Sequence, residues 1–378
     1  IMMHDIGLYL YPGDDGQMLL RVIVGGGLGR TPILGLQIRQ GLPWQHLLSY
    51  VEAVLRVYNR HGRRDNKYKA RIKILVKALG IEAFAREVEE EWTHIKDGPA
   101  QLTLDEFERV ASAFVAPRYR ELADTSLEFG THLAQDPAFA RWVLRNVQAH
   151  KVSGYGSVVL STKPGGSAPP GDVTATQMEA VAQWSEHFGF GEIRIAHEQN
   201  IVLPDVPKAD LFTLWRLACE HNLGSANAGL LTDIIACPGG DFCALANAKS
   251  IPIAQAIQAR FEDLDYLHDL GDISLNISGC MNACGHHHIG NIGILGVDKN
   301  GSEWYQITLG GAQGKNSALG KVIGPSFSAA QVPAVVEQIV DTFVRYRESE
   351  ELFVDTFQRI GLEPFKEAVY PSALEVSA

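Results

Sequence analysis

Four of the five cysteines form two short clusters that could hold a metal centre. Five residues separate Cys237 from Cys243, three separate Cys280 from Cys284, and 36 residues lie between the clusters. Four thiolates can form disulfides, bind a zinc ion or bind an iron-sulfur cluster. The odd cysteine count in a chain of 378 residues disfavours a disulfide framework. A metal centre is therefore the expected use of these thiols.

The spacing of the cysteines separates the two kinds of metal centre. Structural zinc sites usually take cysteines two to four residues apart within each half-site. The gap between Cys237 and Cys243 is wider, whereas a [4Fe-4S] cube takes one thiolate at each of four separate iron corners. The histidine run at 286–288 keeps zinc open as an alternative, although it also suits a polar turn. The spacing favours a [4Fe-4S] cluster.

The residues around both clusters carry a resemblance to a known family. The sequences TDIIAC at 232–237 and NISGCMN at 276–282 resemble the sirohaem and [4Fe-4S] binding signature of assimilatory sulfite and nitrite reductases. They are most similar to bacterial nitrite/sulfite reductases. The resemblance implies that Cys284 both ligates the cluster and bridges to the sirohaem iron, and that Asn282 contacts the sirohaem.

A second candidate feature is a run of cations at residues 60–73. Seven of its fourteen residues are lysine or arginine. Such a run is usually a solvated helical face, but Lys67 and Arg71, like Lys69 and Lys73, fall at i, i+4 spacing with no carboxylate between them, which favours an anionic partner. The resemblance implies that Arg71 and Lys73 line the substrate pocket and that Lys69 faces a sirohaem carboxylate. It also suggests sirohaem contact for Lys151, for which an ordinary surface position is the alternative.

The elements that position these residues occur in two copies. A hairpin pattern at 8–24 ends in the glycine-rich loop GGGLG at 25–29, and a similar pattern ends in GGAQG at 310–314. Apolar residues at i, i+3, i+4 spacing predict helices over 50–56 and 335–341, which are 285 positions apart. Successive backbone amides in such a loop can face an anion, although the loop lacks the Walker and Rossmann spacings. We predict two units of one architecture.

The predicted fold class is α+β, a pseudo-twofold repeat of α/β sirohaem-domain units with a ferredoxin-like α/β module between them. We expect a first repeat domain with a helical extension and no cluster ligands at 1–149, and a ferredoxin-like half-domain at 150–222. A repeat domain that binds the cluster and sirohaem should follow at 223–348, with a C-terminal packing arm at 349–378. Because a module precedes the second copy and almost nothing precedes the first, we expect an N-terminal part to be missing.

Composition limits the partners and the compartment. The net charge of −11 argues against a nucleic-acid partner. The mean hydropathy is −0.03, and no apolar run reaches 18 residues, which argues against a membrane partner. Reduced or metal-bound cysteines fit the cytoplasm.

The function that these features and the resemblance imply is an oxidoreductase. It would carry out the six-electron reduction of sulfite to sulfide, of nitrite to ammonia, or both, at a sirohaem coupled to a [4Fe-4S] cluster. The electron donor would be a ferredoxin or a flavoprotein reductase. The alternatives are a precorrin ring-modifying oxygenase of the cobalamin pathway that shares the cluster signature, a structural zinc-binding module, and an electron carrier that holds only the cube.

Overall fold

A computed structural model describes residues 1–166 and 168–370. Its contacts divide the chain into two units. Unit 1 comprises Ile1–Ala116 together with Gln313–Leu319, and unit 2 comprises Pro117–Ala312 together with the residues from Gly320 onward. Among the described residues, no helix has the length and apolarity needed to span a bilayer.

Unit 1 contains a three-stranded antiparallel sheet with helices packed against it. Its strands are β1 (Ile6–Pro12), β2 (Met18–Val24) and β3 (Leu36–Pro43), with β2 in the centre. Its helices are α1 (Leu47–His61), α2 (Ile72–Leu79), α3 (Ile81–Ile95) and α4 (Leu104–Ala111). The inward face of β2 alternates, so that Val22 and Val24 are buried against Tyr50 and Val54 of α1.

The first part of unit 2 is a four-stranded antiparallel sheet with its own core. Its helices are α5 (Leu127–Gln135), α6 (Pro137–Asn146), α7 (Ala175–Phe188) and α8 (Leu211–Glu220). Its strands are β4 (Val147–Ala149), β5 (Tyr155–Leu160), β6 (Arg194–Ile195) and β7 (Ile201–Pro207), in the order β4-β5-β7-β6. Helix α7 begins with a capping box, because the side chains of Thr174 and Gln177 each bond the other's backbone N–H.

The second part of unit 2 is a mixed sheet covered by helices. Its strands are β8 (Ile235–Ala236), β9 (Leu275–Ser278), β10 (Ile292–Lys299), β11 (Ser302–Leu309), β12 (Lys321–Val322) and β13 (Phe327–Ser328). Its helices are α9 (Gly239–Phe242), α10 (Ile251–Arg260), α11 (Leu264–Leu270), α12 (Val332–Tyr346), α13 (Phe353–Ile360) and α14 (Glu363–Val369). The strand order is β12-β11-β10-β9-β8, with β13 on β11; β8, β9 and β10 are parallel, and β11 is antiparallel to β10.

The two copies of the repeat have matching local structure. Helices α1 and α12 both have 15 residues and begin 285 positions apart. Each copy ends its second strand with a glycine of positive φ, Gly25 at +79° and Gly310 at +80°. A Cβ on Gly25 would contact Val76 of α2, and one on Gly310 would contact Phe357 of α13. In both copies, therefore, the glycine after the second strand lies against a later helix, α2 in the first copy and α13 in the second. This mixture of sheets and helices confirms the α+β class.

Candidate metal and cofactor site

Both cysteine clusters follow neighbouring parallel strands of unit 2. Cys237 comes directly after β8, and Cys280 comes two residues after β9. The N–H of Cys237 donates to the carbonyl of Ile277 at 3.1 Å, which continues the pairing of the two strands. Because parallel strands end at the same edge of a sheet, the topology brings the two cysteine loops together.

The four thiols are close enough to influence each other. Burial raises the pKa of the Cys284 thiol, and the charges of Cys237, Cys280 and Cys243 raise it further. Cys280 is buried, Cys284 is exposed, and the other two are partly buried. Neighbouring cysteines can all be thiolates only beside a cationic centre, which iron supplies. The cysteines therefore fit the group that their spacing predicts.

The arrangement does not favour a single metal ion. Within residues 1–166 and 168–370, no three side chains of His, Cys, Asp or Glu converge on one possible ion position. Zinc requires such convergence, because all its ligands bind at about 2.0–2.3 Å from one point. A cube takes each thiolate at a separate iron. The zinc alternative thus finds no support in this geometry.

The backbone after Cys284 is clamped to β9. The N–H of Gly285 donates to the hydroxyl of Ser278 at 3.1 Å, and the side-chain amide of Asn276 donates to the carbonyl of Gly285 at 2.8 Å. A Cβ on Gly285 would lie 1.9 Å from the carbonyl oxygen of Ile277, so only glycine fits at this position. The clamp fixes the turn that presents the exposed Cys284 thiol.

Two groups form hydrogen bonds with the sulfur of Cys237. The N–H of Gly279 donates to it at 3.1 Å, and the hydroxyl of Ser250 lies 3.4 Å away. Ser250 is fully buried. Sequence reasoning missed Ser250 and the Asn276–Ser278 clamp. The sequence Ser-Ile-Pro at 250–252 could have indicated Ser250. A proline at the second helical position lacks the N–H that a capping serine would bind, so the serine hydroxyl is left for another partner.

The other residues predicted to contact the sirohaem lie at the surface of their units. Asn282 and Lys151 are exposed in unit 2, and Lys69 is exposed in unit 1 on a 3-10 turn at Lys67–Lys69. Exposed ammonium groups are able to pair with the carboxylates of a tetrapyrrole, and an exposed thiol at Cys284 is able to bind an additional metal. The exposed residues of unit 2 fit a sirohaem, and the individual roles of these residues and of Lys69 stay predictions.

Lys73 is buried under the glycine-rich loop of unit 1. Its ammonium group donates to the carbonyls of Leu28 at 2.8 Å, Thr31 at 2.7 Å and Gly27 at 3.2 Å. These bonds use all three of its N–H donors. Burial lowers the pKa of Lys73, and the positive charge of Arg71 lowers it further. The glycine loop and the cations were separate features of the sequence, and the fold joins them.

Arg71 is held beside Lys73 by a carboxylate. Its guanidinium donates to Asp5 from Nε at 3.0 Å and from Nη2 at 2.7 Å. A Cβ on Gly27 would lie 2.8 Å from Nη2 of Arg71 and 3.0 Å from the Lys73 side chain, so this glycine gives both cations room. The two predicted pocket residues of unit 1 therefore meet at one loop.

The i, i+4 interpretation of the cation run is wrong. Residues 67–69 form a 3-10 turn, Arg71 is extended, and α2 begins only at Ile72. Several of the cations also have carboxylate partners: Arg60 pairs with Glu91 and Arg63 with Asp65. The repulsion that the spacing suggested is therefore relieved within unit 1 for part of the run.

Comparison with known proteins gives two family matches. Residues 1–96 and 228–376 match the family described as the nitrite and sulphite reductase 4Fe-4S domain. Residues 165–221 match the nitrite/sulfite reductase ferredoxin-like half domain. The two matched segments of the 4Fe-4S domain correspond to the two copies of the repeat.

Similar proteins cover most of the chain. A protein named sulfite reductase [ferredoxin] 2 from Mycolicibacterium paratuberculosis is 29% identical over 89% of this chain and 55% of its own length. A ferredoxin–nitrite reductase from Synechococcus elongatus is 26% identical over 86% of this chain and 57% of its own length. A chloroplastic ferredoxin–nitrite reductase from Zea mays is 27% identical over 91% of this chain and 56% of its own length. The chain spans little more than half the length of these relatives.

A solved structure shares the fold. The structure of the Mycobacterium tuberculosis NirA protein aligns with a TM-score of 0.72 at 24% identity, over 96% of this chain and 61% of that one. Together with the half-domain match, this likeness supports the predicted α+β architecture. The 4Fe-4S family implies a [4Fe-4S] cluster coupled to sirohaem. With its cysteine loops at one sheet edge and more than half of its length matched, the chain belongs to the nitrite and sulfite reductase 4Fe-4S domain family.

Proposed function

We propose that the protein acts in the six-electron reduction of sulfite to sulfide, of nitrite to ammonia, or of both. The observation that carries this proposal is the placement of the four cysteines on the two loops that follow the neighbouring parallel strands β8 and β9. Relatives named as sulfite reductases and as ferredoxin–nitrite reductases support the same chemistry. No observation favours the ring-modifying oxygenase as a second candidate.

In this proposal Cys237, Cys243, Cys280 and Cys284 would hold the [4Fe-4S] cluster, and Cys284 would also serve the sirohaem. The bound cofactors would supply the electrons for the reduction, and the protein's residues would position them. The clamp on Gly285 would fix the backbone beside the exposed Cys284 thiol, which suits a shared ligand. Asn282, Lys69 and Lys151 would contact the edge and the carboxylates of the macrocycle.

Arg71 and Lys73 would bind the substrate anion and stabilise charge on its oxygens. Arg71 is suited to this because pairing with Asp5 uses only part of its five N–H donors. Lys73 would have to exchange one of its carbonyl acceptors for a substrate oxygen. The pKa of Lys73 is lowered towards physiological pH, and a group with a pKa nearer the working pH is a better proton donor.

The partners and organisation follow from the same proposal. We propose a ferredoxin as the electron donor, because several relatives are named for it; a flavoprotein reductase is the alternative. We propose a cytoplasmic location and the division into repeat domains at 1–149 and 223–348, a half-domain at 150–222 and a terminal arm from 349.

The first test is spectroscopic and analytical. Protein purified without oxygen should show sirohaem absorbance bands, together with about four extra irons and four acid-labile sulfides per chain. Reduced methyl viologen then supplies electrons, and sulfide and ammonium are measured as the products of sulfite and nitrite. Protein with zinc and no chromophore, or loaded protein that reduces neither anion, would refute the proposal.

A pair of cysteine variants adds a matched control. Cys284→Ser should lose the sirohaem bands and most of the iron, because it removes the shared ligand. Cys219→Ser should keep both, since this exposed cysteine lies on α8 outside the cluster loops. Equal iron content in the two variants would contradict the assignment of Cys284.

A further inference from the structure

Ser250 occupies the cap position of α10 without capping it. Serine at this position usually accepts a hydrogen bond from the N–H of the second or third helical residue. The second residue of α10 is Pro252, which has no N–H, and the structure gives Ser250 no side-chain bond to its helix. The hydroxyl is therefore available for another partner.

That partner is the sulfur of Cys237. The Ser250 hydroxyl lies 3.4 Å from it, and no other hydrogen bond of this hydroxyl is found among the described residues. The serine is fully buried and closely surrounded. A Cβ on Gly239 would lie 2.4 Å from its backbone nitrogen and 2.7 Å from its hydroxyl, and a Cβ on Gly279 would lie 3.1 Å from the hydroxyl. Two glycines thus allow the serine to approach the cysteine loop.

The direction of this hydrogen bond depends on the state of Cys237. A thiol can donate or accept, but a thiolate that ligates iron can only accept. The hydroxyl of Ser250 must then be the donor, alongside the N–H of Gly279 at 3.1 Å. Both groups are held by buried backbone and need no rearrangement to serve the ligated state.

We propose that Ser250 is a positioning residue that sets the reduction potential of the cluster through its hydrogen bond to the Cys237 thiolate. The inference rests on the proposed cluster at the four cysteines. When the cluster takes up one electron, negative charge on its thiolate ligands increases. A hydrogen-bond donor stabilises the reduced form more than the oxidised form and therefore raises the potential.

The test is a reductive titration of the cofactor-loaded protein, followed by EPR of the reduced cluster. Ser250→Ala should shift the midpoint potential to a more negative value, while Ser250→Thr, which keeps the hydroxyl, should restore it toward that of the unchanged protein. Ser185→Ala is the matched control, because Ser185 is also buried but donates to the carbonyl of Ala182 within α7. It should leave the potential unchanged.

A second measurement covers the case in which Ser250→Ala does not retain its cluster. In H2O the reduced cluster of the unchanged protein should show EPR hyperfine coupling to the exchangeable protons of Ser250 and Gly279, and exchange into D2O should remove this coupling. Ser250→Thr, measured in H2O, should keep the hydroxyl component. Absence of any exchangeable hydroxyl coupling in the unchanged protein would overturn the inference.

The outcomes separate this inference from the proposed function. If the unchanged protein holds no iron-sulfur cluster, the proposed function itself fails. If Ser250→Ala retains its cluster with the potential of the unchanged protein, the role of Ser250 is wrong while the proposed function stands. An equal shift in Ser185→Ala would also refute the inference, because it would show a general effect of removing a buried hydroxyl.

Discussion

Lys163 and Asp233 form a buried ion pair whose loss should destabilise unit 2. Both side chains are almost inaccessible, with exposed fractions of 0% and 5%. The ammonium of Lys163 donates to Asp233 at 2.6 Å and also to the carbonyl of Glu198. Asp233 accepts further bonds from the amide of Asn200 at 3.0 Å and the N–H of Gly229 at 2.9 Å. The pair therefore joins the half-domain to the chain that leads into the cluster.

The same connection continues to the first cysteine ligand. The side chain of Gln199 forms two hydrogen bonds with the backbone of Ala236. Its amide nitrogen donates to the Ala236 carbonyl at 2.9 Å, and its oxygen accepts from the Ala236 N–H at 3.0 Å. Cys237 is the next residue. Loss of the ion pair should therefore affect both the stability of unit 2 and the retention of iron.

The expected magnitude follows from burial. Lys163→Met leaves the Asp233 carboxylate buried without its counter-ion, which should lower the free energy of unfolding by about 3 to 5 kcal/mol. Arg63→Met is the control, because the Arg63–Asp65 pair has side-chain exposures of 50% and 64%. Removing that exposed pair should change the stability far less than Lys163→Met does, because solvent screens the two charges.

Urea unfolding, followed by tryptophan fluorescence, measures both effects. Trp142, Trp184 and Trp215 lie in the core of the first part of unit 2 and report on its unfolding. The double variant Lys163→Met with Asp233→Asn should be less destabilised than the sum of the single variants, by about 0.5 to 3 kcal/mol. A Lys163→Met variant no less stable than Arg63→Met would refute the reasoning, as would strictly additive effects.

Three further predictions address the anion pocket, the histidine run and the glycine loops. Lys73→Met should lower turnover by about 10²-fold with unchanged sirohaem absorbance, because a positioned proton donor contributes at least that factor; Lys77→Met, on the exposed face of the same helix, should have no such effect. Burial lowers the pKa of His287 from 6.5 to about 3, so the folded protein keeps this ring neutral while the unfolded chain gains a proton. The contribution of this neutral ring to stability should be fully present above pH 6.5, and below that pH the free energy of unfolding should fall by up to about 1.4 kcal/mol per pH unit. Denaturant unfolding between pH 5 and 7.5 should show a smaller dependence of this free energy on pH for His287→Leu. Gly310→Ala should lower the melting temperature much more than Gly16→Ala, since both have a φ of +80° but only the Cβ at Gly310 would clash, 2.1 Å from Phe357; equal losses would contradict this packing.

Sequence reasoning succeeded where a pattern maps directly onto backbone structure. Two hairpins ending in glycines and two helices 285 positions apart are local features, and the structure has both. The cysteine spacing identified the loops, and the parallel pairing of β8 with β9 explains why distant clusters meet. Such pairing depends on tertiary structure. The spacing alone therefore predicted a shared centre but not the residues that hold the cysteine loops in place.

The remaining features depend on contacts that no local pattern encodes. The cation run suggested one helical face, but the chain turns at Lys67–Lys69 and extends through Arg71 before α2 begins. The Asp5 partner of Arg71 lies 66 positions away. The two hydrogen-bond partners of the Cys237 sulfur lie 13 and 42 positions from it. Their roles became visible only with the fold, because serine and glycine have many ordinary uses in a sequence.

The two copies of the repeat show how one architecture can divide its chemistry. In unit 1, Arg71 precedes α2 and Lys73 lies in its first turn; at the corresponding positions before and within α13, unit 2 has Leu352 and Val354. The correspondence is fixed by the helices themselves, since each has eight residues and each contacts the strand-ending glycine of its own copy. The copy without cluster ligands thus carries the cations, whereas the copy that follows the cysteine loops carries apolar residues at those positions. Because both copies keep the glycine and helix geometry, that geometry serves the fold, and the difference at these two positions agrees with the anion binding that we propose for Arg71 and Lys73 in unit 1.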